Sequence, residues 1–296
     1  MTITTETVEA NGFRFAVDQA GEGDHLALCL HGFPESRFSW RHQIPMLADM
    51  GYRVWAPDLR GYGETEPKPE GVADYCVDRL LEDVAALIDA SGAKEVTLIA
   101  HDWGAGLAWV FATHQVRPLE RLVIMNVPHP AVMATHLRRS WAQLKKSWYM
   151  LFFQLPRLPE AAMTARDARA IRQAFHGMAV DKTHFGPDVL DRYARDAQRP
   201  GAIRGMVNWY RAALRVPGKM AGPWPVIETP TLIVWGEEDA ALGVELLDGT
   251  DAYVRNLTIN RLPGVSHWVQ QEAPDQVNAI LKTWLPGPHN NSGGKP

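Results

Sequence analysis

Short, unbroken apolar runs spaced between helix-like stretches constrain the fold of this chain most. Leu26–Leu30, Arg53–Ala56, Val96–Ala100, Leu122–Met125 and Thr231–Trp235 are four or five residues each. Runs of that length fit strands buried on both faces, while Phe13–Val17 alternates as a half-buried strand does. Among the stretches between them, Asp78–Ala90 puts Leu80, Leu81, Val84, Leu87 and Ile88 on one stripe, and Gly92 supplies a stop. Strands alternating with helices predict an α/β class with a mostly parallel sheet flanked by helices on both faces.

That rhythm breaks between about 131 and 222, where helical patterns continue without a buried strand run. The charge changes there too. The segment carries 16 Lys and Arg against 6 Asp and Glu, a net of +10, which leaves 14 against 28, a net of −14, for the rest. We therefore expect an α/β core formed by 1–130 and 223–285, a helical cap at 131–222, and a flexible tail at 286–296 rich in Pro, Gly, Asn and Ser. The basic segment either docks on the acidic core, steers anionic ligands, or presents a solvated surface.

Composition excludes several classes. With 46% hydrophobic and 22% charged residues the chain can bury a core. A net charge of −4 gives no global footprint for nucleic acid. No apolar run spans a bilayer, and the N-terminus lacks the blocks of a signal peptide. The two cysteines, Cys29 and Cys76, do not make a disulfide scaffold. A soluble, cytoplasmic protein is expected. No metal or organic cofactor is implied, because there is no HExxH, no Cys-rich ligand set and no dinucleotide fingerprint. The oligomeric state stays open, a homodimer included.

The chemistry concentrates around Val96–Ala105, where a buried strand runs directly into a helix with small residues at Ala100, Gly104 and Ala105. This is the pattern of a nucleophile elbow, whose sharp turn exposes its middle residue; here that residue is Asp102. An Asp at a helix start also serves as a simple cap. Three further features favour the elbow. His31-Gly32-Phe33-Pro34 follows a buried strand, so the N–H groups of Phe33 and Trp103 are candidates for an oxyanion hole. Asp239 follows the run ending at Trp235-Gly236. His267 lies in a late loop before the final helix. The order nucleophile, acid, histidine matches that of α/β hydrolases.

Over nearly its whole length the chain resembles the α/β-hydrolase-fold epoxide hydrolases, of the soluble bacterial type without an N-terminal phosphatase domain. His31-Gly32-Phe33-Pro34-Glu35-Ser36 is similar to that family's HGXP loop. Asp58-Leu59-Arg60-Gly61-Tyr62-Gly63 is similar to its next loop, His101-Asp102-Trp103-Gly104 to its elbow, and Asn126-Val127-Pro128-His129-Pro130 to its exit into the cap. Ala100 stands where many relatives have Gly. The resemblance also marks two cap tyrosines, Tyr149 in Trp148-Tyr149-Met150-Leu151-Phe152-Phe153-Gln154 and Tyr210 in Asn208-Trp209-Tyr210-Arg211. Tyr193, in a charged helix-like run, reads as a surface or packing residue.

The residue types fit one chemistry. A carboxylate attacking an sp³ carbon forms an alkyl ester, which water activated by His267, oriented by Asp239, then cleaves. A halide leaves with weak help, whereas an opening epoxide becomes a basic alkoxide and needs a proton donor such as a phenol. Phe33 and Trp103 stand where dehalogenases of this type usually carry Asn or Arg. The resemblance thus implies conversion of a small-molecule epoxide to a vicinal diol. Haloalkane dehalogenation on the same Asp102, or ligand binding without turnover, are the alternatives. Glu35 is read either as part of a water network or as a solvated loop carboxylate, and His101 as a supporting residue behind the elbow. Trp148, Met150, Phe152 and Trp209 are candidate pocket walls.

Overall fold

The apolar runs are strands. A computed structural model describes residues 1–139 and 148–287. In it β1 (Thr4–Ala10), β2 (Phe13–Ala20), β3 (His25–Leu30), β4 (Arg53–Pro57), β5 (Glu95–His101), β6 (Arg121–Met125), β7 (Thr231–Gly236) and β8 (Leu257–Leu262) form one sheet. Its order is β1-β2-β4-β3-β5-β6-β7-β8. Strands β4, β3, β5, β6, β7 and β8 run parallel, and β2 pairs antiparallel with β1 and β4. Every residue of β3 and β7 is buried, as expected for interior strands covered on both faces.

The two edge strands were not legible in the sequence. β1 leaves five of its seven residues exposed and β8 three of six. An edge strand with little to bury carries no apolar run.

Alternation along each strand divides the core between two helical layers. Ala27, Cys29, Val54, Ala56, Ile99, Val123, Leu232 and Val234 face one side, with Ile44 and Leu47 of α1 (Gln43–Asp49). Leu26, Leu28, Leu30, Leu98, Leu122, Ile124 and Ile233 face the other. There they meet Leu80, Leu81, Val84 and Leu87 of α2 (Val77–Ser91) and Leu107 and Val110 of α3 (Asp102–Thr113). Each buried Leu or Ile contributes about 1.5–3 kcal/mol relative to exposure. α2 stops at Gly92, whose φ of 62° is the left-handed conformation a helix end favours.

Between β6 and β7 the described residues hold helices and no strand. These are α4 (Pro130–Arg139), α5 (Trp148–Phe152), α6 (Leu158–Met178), α7 (Pro187–Gln198) and α8 (Ala202–Arg215); residues 140–147 lie outside the described set. Among the described residues, three ion pairs join 131–222 to the rest: Arg199–Glu64, Arg204–Glu70 at 2.7 Å and Lys219–Asp78 at 4.0 Å. Each sets a cation of the basic segment on a carboxylate of the acidic remainder, and all six side chains stay solvent-exposed, where such pairs contribute little.

After β8 come α9 (Val269–Glu272) and α10 (Pro274–Trp284), with Val277 and Leu281 of α10 on the α1 face of the sheet. Of the expected tail, 288–296 lie outside the described residues, and the Pro286 carbonyl accepts a bond from the Tyr52 hydroxyl. No helix among the described residues is long and apolar enough to cross a membrane.

Candidate active site

The turn from β5 into α3 sets the geometry. Asp102 has φ 46°, a left-handed conformation that costs a non-glycine residue about 1–3 kcal/mol. Close packing enforces it. A Cβ on Gly104 would lie 2.4 Å from the Leu30 carbonyl oxygen, and one on Gly32 would lie 2.3 Å from the Asp102 side chain. The Gly104 N–H donates to the His31 carbonyl at 3.1 Å, and the Phe33 N–H donates to Asp102 Oδ1 at 2.6 Å. Trp103, the other expected oxyanion donor, occupies the first turn of α3, where helix N–H groups lack intrahelical partners.

Asp102, at the β5–α3 turn, meets His267 and Asp239, which lie on two loops at the carboxyl ends of sheet strands. His267 Nε2 lies 3.5 Å from Asp102 Oδ2, and His267 Nδ1 lies 2.6 Å from Asp239 Oδ2. The Asp102 side chain keeps 18% of its surface exposed while that of Asp239 keeps none, so only the first can meet a ligand. Asp239 is fixed by backbone N–H groups of Ala241 and Leu242 at 2.8 and 2.9 Å on Oδ1, and by Asn126 Nδ2 at 2.9 Å on Oδ2. Asn126 also accepts the Gly236 N–H at 2.8 Å. Sequence reasoning assigned Asn126 only to the chain's exit from the core. Its φ of 48° is one Asn tolerates better than most residues, and its bonds to Asp239 and Gly236 make it one of the groups that steady Asp239.

The charges reinforce one another. Burial opposes the cationic form of His267, but Asp239 and Asp102 outweigh it and lift the imidazole to about 10. Burial likewise disfavours the ionised form of both carboxylates, yet each ends below its usual range. For Asp102 the cause is His267, with His101 and the Phe33 N–H; for Asp239 it is His267, with Asn126 and the Leu242 N–H. At neutral pH the resting site therefore holds an imidazolium between two carboxylates.

Glu35 is not a solvated loop carboxylate. It is fully buried. Oε2 accepts the Gly32 N–H and meets His101 Nδ1, both at 2.8 Å, and Oε1 accepts the side-chain amides of Gln270 and Gln271 at 2.9 and 2.7 Å. The other His101 nitrogen, Nε2, meets the His267 carbonyl at 2.9 Å. Glu35 and His101 thus join the Phe33 loop to the His267 loop behind the elbow.

Aromatic rings close the opposite side. Tyr149 on α5 and Tyr210 on α8 have ring centroids 5.9 Å apart, nearly perpendicular. Tyr210 stands edge-on to Phe33 at 5.2 Å and to Trp103 at 4.8 Å. The two helices are joined by Gln154 Nε2 donating to the Tyr210 carbonyl at 3.1 Å and Arg211 Nε donating to the Phe153 carbonyl at 3.0 Å. Burial, with the nearby Asp102 anion, pushes both phenols up, so both stay protonated donors.

The expected walls separate. Trp209 is buried, donates Nε1–H to the Arg60 carbonyl at 3.0 Å and packs against Trp103. Met150 and Phe152 are half-buried against the core. Trp148 does not fit its expected role: it is 64% exposed, with its ring on Phe152. One step along a helix turns a side chain by about 100°, so Tyr149 faces inward where Trp148 does not. Phe153, four residues after Tyr149 and on the same helix face, was missed; it lies 4.7 Å from Tyr210 and 5.4 Å from Phe33. Tyr193 is fully buried, stacked on Phe175 at 4.3 Å, with its hydroxyl donating to Gln271 at 2.6 Å. Among the described residues no group of three or more His, Cys, Asp or Glu could hold a metal ion.

Residues 28–274 match the alpha/beta hydrolase fold family. The chain is 38% identical to epoxide hydrolase 4 of Mus musculus, over 94% of this chain and 78% of that protein. It is 37% identical to the AB hydrolase superfamily protein YfhM of Bacillus subtilis, over 96% and 98%. Among solved structures, an epoxide hydrolase from Bacillus megaterium in complex with an inhibitor superposes with a TM-score of 0.86 at 32% identity, covering 94% of this chain and 99% of that one. With its parallel sheet and elbow, the chain belongs to the α/β-hydrolase fold family and, within it, to the epoxide hydrolases.

Proposed function

We propose that the protein hydrolyses epoxides to vicinal diols through an alkyl ester on Asp102. The observation that carries this reading is the pair of phenols, Tyr149 and Tyr210, beside the aromatic residues Phe33 and Trp103 that flank Asp102. A halide leaving group needs no such donor; an epoxide oxygen does. Residues 131–222 act as a cap over a core of 1–130 and 223–285, and substrate enters between them.

In the first step an Asp102 oxygen attacks one ring carbon, the C–O bond breaks and its electron pair passes to the ring oxygen. A phenol donates a proton to that oxygen and is reprotonated from solvent, while the His267 imidazolium gives its own proton to solvent. Imidazolium becomes imidazole because the ester has removed one of the two anions that hold its charge. In the second step His267 Nε2 takes a proton from water, and the hydroxide adds to the ester carbonyl. The Phe33 and Trp103 N–H groups stabilise the tetrahedral oxyanion. Collapse expels the diol oxygen, which takes the proton from His267, and the new Asp102 acid returns its own proton to the imidazole. The sum is epoxide plus water to diol.

The test is the intact mass of His267→Gln after exposure to racemic styrene oxide and 1-bromohexane together. A gain equal to the whole epoxide is expected. A gain equal to the halide less hydrogen bromide would make the protein a dehalogenase, and no adduct would reject the ester mechanism for these substrates.

A further inference from the structure

Glu272, at the end of α9, is 4% exposed and gathers four donors from two parts of the chain. Oε1 accepts the backbone N–H groups of Val180 and Asp181, in the loop between α6 and α7, at 3.1 and 2.9 Å. Oε2 accepts the Ser266 N–H at 3.2 Å and the Ser266 hydroxyl. All four of these donors are uncharged. A buried carboxylate without a cation is expensive to keep. Only a group with two acceptor oxygens back to back could serve both sets of donors at once.

Its place in the chain gives those bonds a consequence. Ser266 immediately precedes His267, so the carboxylate holds the loop that carries the imidazole to the segment that carries the tyrosines. The neighbouring Gln271 makes a parallel link, accepting from Tyr193 of α7 and donating to Glu35. We propose that Glu272 is a positioning residue that couples the Val180–Asp181 loop of the cap to the His267 loop, so that the imidazole addresses the ester only with the cap seated. This rests on the ester mechanism above. Ring opening depends on Asp102 and the phenols, whereas ester cleavage depends on where His267 holds its water. A loosened His267 loop should therefore slow the second half-reaction and spare the first.

Glutamine at 272 would turn an NH₂ group onto one pair of donors. Aspartate would keep both acceptors on a shorter arm. Rapid-quench kinetics and intact mass with styrene oxide, on wild type, Glu272→Gln, Glu272→Asp and His267→Gln, separate the half-reactions. In Glu272→Gln, alkylation should stay within about threefold of wild type. Hydrolysis should fall by about tenfold or more, the scale of a small misplacement, and ester should accumulate. Glu272→Asp should show the same split, reduced in size. A merely structural residue would lower both half-reactions by one factor in step with the folded fraction, and that result overturns the proposal. If Glu272→Gln does not fold, an unsplit loss in Glu272→Asp overturns it equally. Adduct in His267→Gln without accumulation in either Glu272 variant rejects the role of Glu272 alone. No adduct in His267→Gln rejects the ester mechanism and this inference with it.

Discussion

Replacing Asp102 by Asn tests whether the Asp102 charge keeps His267 protonated. The amide has nearly the size of the carboxylate and, like the ester of the proposed mechanism, carries no charge. In the resting site the two groups lie 3.5 Å apart. At an effective dielectric constant of about 20, unit charges at that distance attract by about 4.7 kcal/mol, which corresponds to roughly 3.5 pH units. Removing the anion should bring the imidazole from about 10 to about 6.5–7. Burial still disfavours the cation there, and Asp239 at 2.6 Å still supports it. At pH 7.5 the side chain would change from almost wholly protonated to mostly neutral, which a general base for water requires. The assay is a histidine-selective NMR titration of both proteins, with the His267 signal assigned by its loss in His267→Gln and the amide verified by mass. Titration near 10 in both proteins, or near 6.5 in both, would refute the reasoning.

Three further outcomes are expected. Tyr149→Phe and Tyr210→Phe should each slow ring opening, in the range of about 10²–10⁴ for loss of a general acid, yet leave cleavage of a preformed ester unchanged; single-turnover kinetics distinguish the two. Gly104→Ala would place a methyl group 2.4 Å from the Leu30 carbonyl oxygen and should cost about 1–3 kcal/mol or more, read as a lower urea midpoint at unchanged m-value. The carboxyls of Asp102, Asp239 and Glu35 all lie below their ordinary range in the folded protein. The stability they contribute is complete above the unfolded carboxyl pKa of about 4 and is lost as pH falls below it. Melting temperature should drop steeply below pH 4, and less steeply in Glu35→Gln.

Much of this was legible in the order of residues. Interior strands announce themselves because burial on both faces demands an unbroken apolar run, as in Leu26–Leu30 and Thr231–Trp235. The elbow is legible because a strand meeting a helix without a linker needs small neighbours, and Gly104 and Ala105 supply them. The order of Asp102, Asp239 and His267, and the aromatic segments around Tyr149 and Tyr210, mark candidate chemistry by residue type and resemblance alone.

Other features depend on distances that no linear pattern encodes. β1 and β8 bury too little to leave a signature. Trp148 and Tyr149 are adjacent in sequence and differ only in the direction the helix gives each. Asn126 and Asp239 are 2.9 Å apart although more than a hundred residues separate them. The four bonds that gather on Glu272 come from two loops that meet only after the sheet has formed and the helical segment has packed on it. Residue type and local spacing declare which groups can react. The field that raises His267, and the buried contacts that orient it, arise from charges brought within a few ångströms by the fold, because electrostatic coupling and desolvation depend on separation in space and not along the chain.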